Sequence, residues 1–180
     1  MKIETTDLSG VLLLTPKVFE DARGFFLESY NQHVFAEAGI TTVFVQDNHS
    51  QSCRHALRGL HYQVPPRAQV KLVRVVVGEV FDAVVDLRPE SATFRCWAGF
   101  TLSAANRQML YVPAGLAHGF CVLSDTADIL YKTSDFYSPP HERALLWNDP
   151  DIGIAWPVGE PILSERDRRA RPFADLRREL

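Results

Sequence analysis

Four short stretches of this 180-residue chain bring together side chains able to move protons and hold charge. Arg58-Gly59-Leu60-His61-Tyr62-Gln63 sets a guanidinium and an imidazole three positions apart. Lys71 opens the most apolar run, Lys71-Leu72-Val73-Arg74-Val75-Val76-Val77. Pro113-Ala114-Gly115-Leu116-Ala117-His118-Gly119-Phe120 is a turn that delivers His118 to the start of a strand, and Tyr131-Lys132-Thr133 ends another. The chemistry open to such residue types is acid–base. His titrates near neutrality, Tyr holds a proton of high pKa, and Lys is a compact point charge with three donors. Taken singly, each has a structural reading as well: a hydrogen-bonded His on a strand, an edge-strand Lys that blocks mispairing, an aromatic at a barrel rim.

Metal and redox chemistry are poorly served. A barrel metal site would pair two His two residues apart and add a Glu and a distant His. Here His61 is followed by Tyr62 and Gln63, and His33, His49, His55 and His141 lie in polar or turn-rich segments without ligand spacing. Cys53, Cys96 and Cys121 are odd in number and widely spaced, which fits neither a zinc site nor a disulfide framework. No glycine pattern for a dinucleotide is present. The expectation is a metal-free, cofactor-free chain in a reduced, cytoplasmic compartment.

The elements that must position these side chains read as strands. Residues 71–77 and 80–87 are β-branched and apolar and flank Gly78-Glu79, a pattern that predicts an antiparallel hairpin. In the second run Phe81, Ala83, Val85 and Leu87 share one face and Asp82, Val84 and Asp86 the other. Further strands are expected at 11–14, 24–30, 42–50, 57–63, 97–102, 109–112, 118–123 and 127–133. Their even spacing predicts an all-β sandwich or barrel, with a jelly roll as the usual closure. Helix is scarce: a short one at 31–38 ended by Gly39, and one begun by Ser164 with Glu165 and Asp167 in its first turn.

Composition agrees with a single domain over 1–180. Apolar residues make up 46% and charged residues 23%, which excludes a disordered or fibrous chain. The net charge of −3 gives no basic footprint for nucleic acid. No apolar run approaches the roughly 18 residues of a membrane span, and the start Met1-Lys2-Ile3-Glu4-Thr5 has no signal-peptide pattern.

Many segments, in one order along nearly the whole chain, resemble the dTDP-4-dehydrorhamnose 3,5-epimerase family. They include Arg23-Gly24-Phe25-Phe26-Leu27-Glu28-Ser29-Tyr30-Asn31, Phe44-Val45-Gln46-Asp47-Asn48-His49-Ser50, the stretches around His61, Lys71, His118 and Tyr131, Trp147-Asn148-Asp149-Pro150 and Leu163-Ser164-Glu165-Arg166-Asp167. The resemblance implies a cupin-like jelly roll and an isomerase that needs no cofactor. Its substrate would be the nucleotide sugar dTDP-4-dehydro-6-deoxyglucose, inverted at C3 and C5 on the way to dTDP-L-rhamnose. By that resemblance His61 is the catalytic base with Asp167 as partner, Tyr131 the acid on the opposite face, and Lys71 the stabiliser of the enolate oxygen. Arg23, Glu28, Gln46, Asp47, Asn48, Arg58, His118, Glu142 and Arg166 match substrate-binding positions. Family members are homodimers that exchange N-terminal strands, so part of the Arg23–Glu28 stretch is expected to serve a neighbouring subunit. Arg166 stands where the family often has Lys, and Phe136 where it often has Tyr or Phe.

Three rivals stay open at this level. A one-carbon epimerase of secondary metabolism shares His61, Lys71 and Tyr131. A non-catalytic binding module would lack one of His61, Tyr131 or Asp167, and all are present. A metal-dependent cupin dioxygenase would need the missing His pair. Two geometric conditions also follow. Arg58 and His61 point to opposite faces of a regular strand, so a shared pocket predicts a ladder irregularity near Gly59. Asp167 reaches His61 only if the C-terminal segment folds back over the barrel mouth.

Overall fold

The computed structural model describes residues 1–177 and 179. Its strands are β1 (Lys2–Thr5), β2 (Leu12–Thr15), β3 (Val18–Asp21), β4 (Gly24–Leu27), β5 (Gln46–Cys53), β6 (Leu57–Gln63), β7 (Lys71–Val77), β8 (Glu79–Asp86), β9 (Trp97–Ser103), β10 (Met109–Val112), β11 (Leu116–Val122), β12 (Thr126–Thr133) and β13 (Glu142–Ala144). Short helices α1 (Gln32–Glu37), α2 (Glu165–Arg168) and α3 (Phe173–Leu176) complete it. A six-stranded sheet runs β1-β2-β10-β7-β12-β5, a five-stranded sheet runs β13-β6-β11-β8-β9, and β3 pairs with β4 as a separate hairpin. Every strand pairing is antiparallel. The result is an all-β jelly roll.

Three apolar layers hold it together. Between the sheets, Val73, Val75, Leu110 and Ile129 of the larger meet Val80, Val84, Leu102 and Phe120 of the smaller. On the outer face of the larger sheet, Phe35 of α1 and Ile40 cover Leu14, Leu72 and Met109. On the outer face of the smaller sheet, Leu145, Ile152, Phe173 and Leu176 cover Leu60, Val85, Leu87 and Ala117. Each such side chain removed from water contributes about 1.5–3 kcal/mol. The last layer carries the chain's later residues across the smaller sheet. Ile162 then bridges to Ala56 beside the barrel mouth, and Leu145 bridges to Arg171. That path is the fold-back Asp167 requires.

The strands at 57–63 and 109–112 fall where the sequence puts them. The helix at 31–38 does too: Asn31 is its cap, with Oδ1 accepting from the amides of His33 and Val34. Other expectations move. The 42–50 strand starts only at Gln46, which pairs with Thr133 at the end of β12, and it runs on to Cys53; before it only the Val45 amide continues the contact, to the Thr133 carbonyl at 2.9 Å. The short strands β1, β3 and β13 were not expected. The predicted hairpin of 71–77 with 80–87 does not form. β7 and β8 belong to different sheets. Gly78, at φ +75°, is the one residue between them. A hairpin loop needs two central residues to lay the second strand beside the first; a single residue turns a corner instead, and the chain passes from one sheet to the other. Consequently both faces of β8 are buried, and the face bearing Asp82 and Asp86 is not a solvent face at all.

Candidate active site

One end of the barrel opens into a cavity of about 660 Å³ between the sheets. β6 supplies Arg58 and His61 from one wall. Its ladder with β11 sets His118 opposite His61 and Phe120 opposite Arg58, so Gly59 and Leu60 together face Gly119 alone. This is the irregularity expected near Gly59. A Cβ on Gly59 (φ +135°) would lie 2.6 Å from the Gly119 Cα, so a pair of glycines is what lets the two strands meet there. The extra residue turns Arg58 and His61 to the same face, and both line the cavity.

His61 Nε2 donates to Asp167 Oδ1 at 2.6 Å. The contact spans 106 positions of sequence. Asp167 is 3% exposed and His61 27%, so the carboxylate is sealed and the ring is not. With Nε2 engaged, the lone pair of the imidazole lies on Nδ1. Burial pushes the Asp167 carboxyl up, but the hydrogen bonds from His61 and Ser164 outweigh it and hold it below its usual value.

The opposite wall is the larger sheet. Tyr131, on β12, lies across the barrel from His61 and lines the same cavity. Burial raises its phenol pKa, with the Arg58 guanidinium opposing the shift. Lys71, at the start of β7, is 8% exposed and donates from Nζ to the His61 carbonyl at 3.0 Å. Burial lowers its ammonium to about 8, while the charges of Asp82 and Glu142 work the other way. It is therefore still a cation at pH 7, with donors to spare. At the rim, Glu142 takes Arg166 Nη2 at 2.6 Å and the Tyr137 hydroxyl at 2.7 Å. Gln46 Nε2 donates to Asn48 Oδ1 at 2.9 Å, and both residues face inward from β5.

Three expected residues lie elsewhere in this chain. Asp47 sits between Gln46 and Asn48, so strand alternation sends its side chain to the other face, where it pairs with Lys132 at 2.8 Å. Arg23 is 90% exposed at the β3–β4 turn and pairs with Asp21 at 2.6 Å. Glu28 accepts from Asn31 Nδ2 at 2.8 Å. Neither Arg23 nor Glu28 lines the cavity. His49 also faces outward, bonded to Asp128, and His141 Nδ1 is engaged by Ser138.

The sequence reading missed other members. Asp82 of β8 is fully buried, and its two carboxylate oxygens take His118 Nε2 at 3.0 and 2.9 Å. Its signal was available: an acid within a strand with apolar residues on both sides of it. Ser52 accepts from Arg58 Nε at 2.9 Å, and Ser50 Oγ is buried at the cavity wall without a partner among the described residues. A serine on a strand carries no such signal.

Comparisons with known proteins give the chain's family. The family model described as dTDP-4-dehydrorhamnose 3,5-epimerase matches residues 5–175. The dTDP-4-dehydrorhamnose 3,5-epimerase of Shigella flexneri is 56% identical over 176 residues, 97% of each chain. Among solved structures, the Bacillus anthracis dTDP-4-dehydrorhamnose 3,5-epimerase with TDP and PPi bound is 46% identical at TM-score 0.94. The match covers 96% of this chain and 99% of that one. The Legionella pneumophila dTDP-6-deoxy-D-glucose-3,5-epimerase in complex with dTDP-4-keto-L-rhamnose is 44% identical at TM-score 0.94, covering 99% and 95%. Matched by the family model over residues 5–175 and by a relative more than half identical along 97% of its length, the chain belongs to the dTDP-4-dehydrorhamnose 3,5-epimerase family.

Proposed function

We propose that the cavity inverts C3 and C5 of dTDP-4-dehydro-6-deoxy-D-glucose to give dTDP-4-dehydro-L-rhamnose, using only its own side chains. The observation that carries this is the placement of His61 and Tyr131 on facing sheets with Lys71 beside them. A C–H bond next to the C4 ketone is weakly acidic, and the His61 lone pair accepts its proton. The electron pair becomes an enolate whose charge collects on the C4 oxygen. Lys71 is the fixed cation for that charge, an arrangement worth about 3–4 kcal/mol, or 10²–10³ in rate. Tyr131 returns a proton from the opposite face, and the stereocentre inverts. A phenol is a weak acid, but an enolate carbon is basic enough to take its proton. Solvent then takes the proton from the His61 imidazolium and returns one to the Tyr131 phenolate, and the same steps at the second carbon complete the reaction. Arg58 and Arg166 suit the diphosphate through their planar donor forks.

The same reading includes a homodimer. The β3–β4 hairpin displays Phe19, Phe25 and Phe26 at 53%, 56% and 64% exposure, and Arg23 and Glu28 flank it away from their own cavity. A second copy that takes up this arm would bury the aromatics and receive Arg23 and Glu28 at its own site. Residues 1–180 then work as one cupin-like domain. The free Cys53, Cys96 and Cys121 fit a cytoplasmic setting. Among the described residues, no helix is long and apolar enough to cross a membrane.

The deciding experiment incubates the protein with dTDP-4-dehydro-6-deoxyglucose in D2O, without added metal, and follows deuterium by mass and NMR. Label at both C3 and C5, with the inverted product trapped by a reductase, is the expected result. Label at one carbon would assign a one-carbon epimerase, and no label would remove this substrate.

A further inference from the structure

Ser164 makes a reciprocal contact with Asp167. Its Oγ donates to Asp167 Oδ2 at 2.8 Å and accepts from the Asp167 amide at 3.1 Å. The amide contact is ordinary helix capping. The carboxylate contact is not required by capping. It occupies one oxygen of Asp167 and leaves the other, Oδ1, for His61. The carboxylate is buried, so a change of its rotamer would strand a charged oxygen without a donor.

We propose that Ser164 is a positioning residue for proton abstraction, the third member of a Ser164–Asp167–His61 chain that fixes which Asp167 oxygen meets the imidazole. This deepens the function above and rests on His61 being the base. The hydroxyl also draws charge from the carboxylate. Without it, Asp167 would hold the proton of the imidazolium more strongly. The charged and titratable groups that face this chain from the surrounding elements are Arg58 and Tyr62 on β6, Lys71 on β7, Asp82 on β8, His118 on β11, Tyr131 on β12, Tyr137 and Glu142 at the rim and Arg166 on α2. Of these, Arg166 is tied to Glu142, and His118 to Asp82. None of them touches the Ser164 hydroxyl among the described residues.

The test compares Ser164→Ala, Ser164→Gly and Ser164→Thr in the full-length protein, with His61→Asn as reference. Gly is nearly as good a helix cap as Ser, so it removes the hydroxyl while sparing α2. The expected result for Ala and Gly is a roughly tenfold fall in kcat with KM unchanged. The acid limb of the kcat/KM profile, which reports the His61–Asp167 pair, moves up by about half a unit. Thr restores both. Ala and Gly variants with the parent's kcat and profile would overturn the inference. So would a loss of activity with an unmoved limb that Thr fails to rescue. Proton exchange retained by His61→Asn would instead remove the base assignment, and the inference with it.

Discussion

Two of the molecule's His–Asp pairs stand side by side, their rings facing each other on neighbouring strands, and they are built in opposite ways. His118 and Asp82 come from adjacent strands of one sheet, 36 positions apart, and are 8% and 0% exposed. His61 and Asp167 come from β6 and α2, 106 positions apart, and the ring is 27% exposed. The first pair is fixed by the register of β8 on β11 as soon as that sheet forms. The second exists only once the C-terminal segment has crossed the smaller sheet. Both rings line the cavity, but that of His61 is the more open of the two. Pairing with a carboxylate is thus shared by both, and the difference between them is access.

Substitutions separate the pairs. The largest effect is expected from His61→Ala, which should lower deuterium exchange at both carbons by about 10³-fold, whereas His118→Ala should cost about tenfold with exchange still measurable. Comparable losses in the two variants would erase the distinction. Next, Tyr131→Phe should depress formation of inverted product by about 10²-fold while initial proton loss is affected less; equal impairment would make Tyr131 a positioning group. Asp167→Asn should come third, with kcat down by about 10²-fold and KM held.

The smallest and most diagnostic effect is on pH dependence. Lys71 is charged below about pH 8 and neutral above it, so the oxyanion stabiliser is lost as pH rises. Tyr131, raised by burial, keeps its proton through that range. The kcat/KM profile of the free enzyme should therefore fall through an alkaline limb near 8. Asp82 supports the Lys71 charge, so Asp82→Asn should move that limb downward, and Asp167→Asn should leave it in place. An alkaline limb unmoved by Asp82→Asn would show that the buried pair has no electrostatic link to the ammonium.

Much of this was legible in the residues. The β6 strand followed from its composition, and the need for a bulge followed from Arg58 and His61 being three apart once the family resemblance put both in one pocket. Ser164 was readable as a cap from its type and the acids after it. What was hidden has a physical pattern. The β7–β8 hairpin failed because apolar alternation reports burial, not the identity of the pairing strand. Asp47 was carried along with its neighbours, although a period of two separates it from Gln46 and Asn48. Asp82 went unused because its value depends on a partner brought near by sheet register. Arg23 and Glu28 match the family's motif but lie outside this chain's own cavity.

The order of the cavity's parts along the chain has a consequence for biosynthesis. Arg58, His61, Lys71, His118, Tyr131 and Glu142 all precede the segment that carries Ser164 and Asp167. During synthesis, N-terminal parts are free to fold first. The sheets can then assemble before the carboxylate arrives, and a half-made chain holds an imidazole with no partner. On the proposed roles, competence for proton abstraction would then come last, with the docking of α2 on the rim.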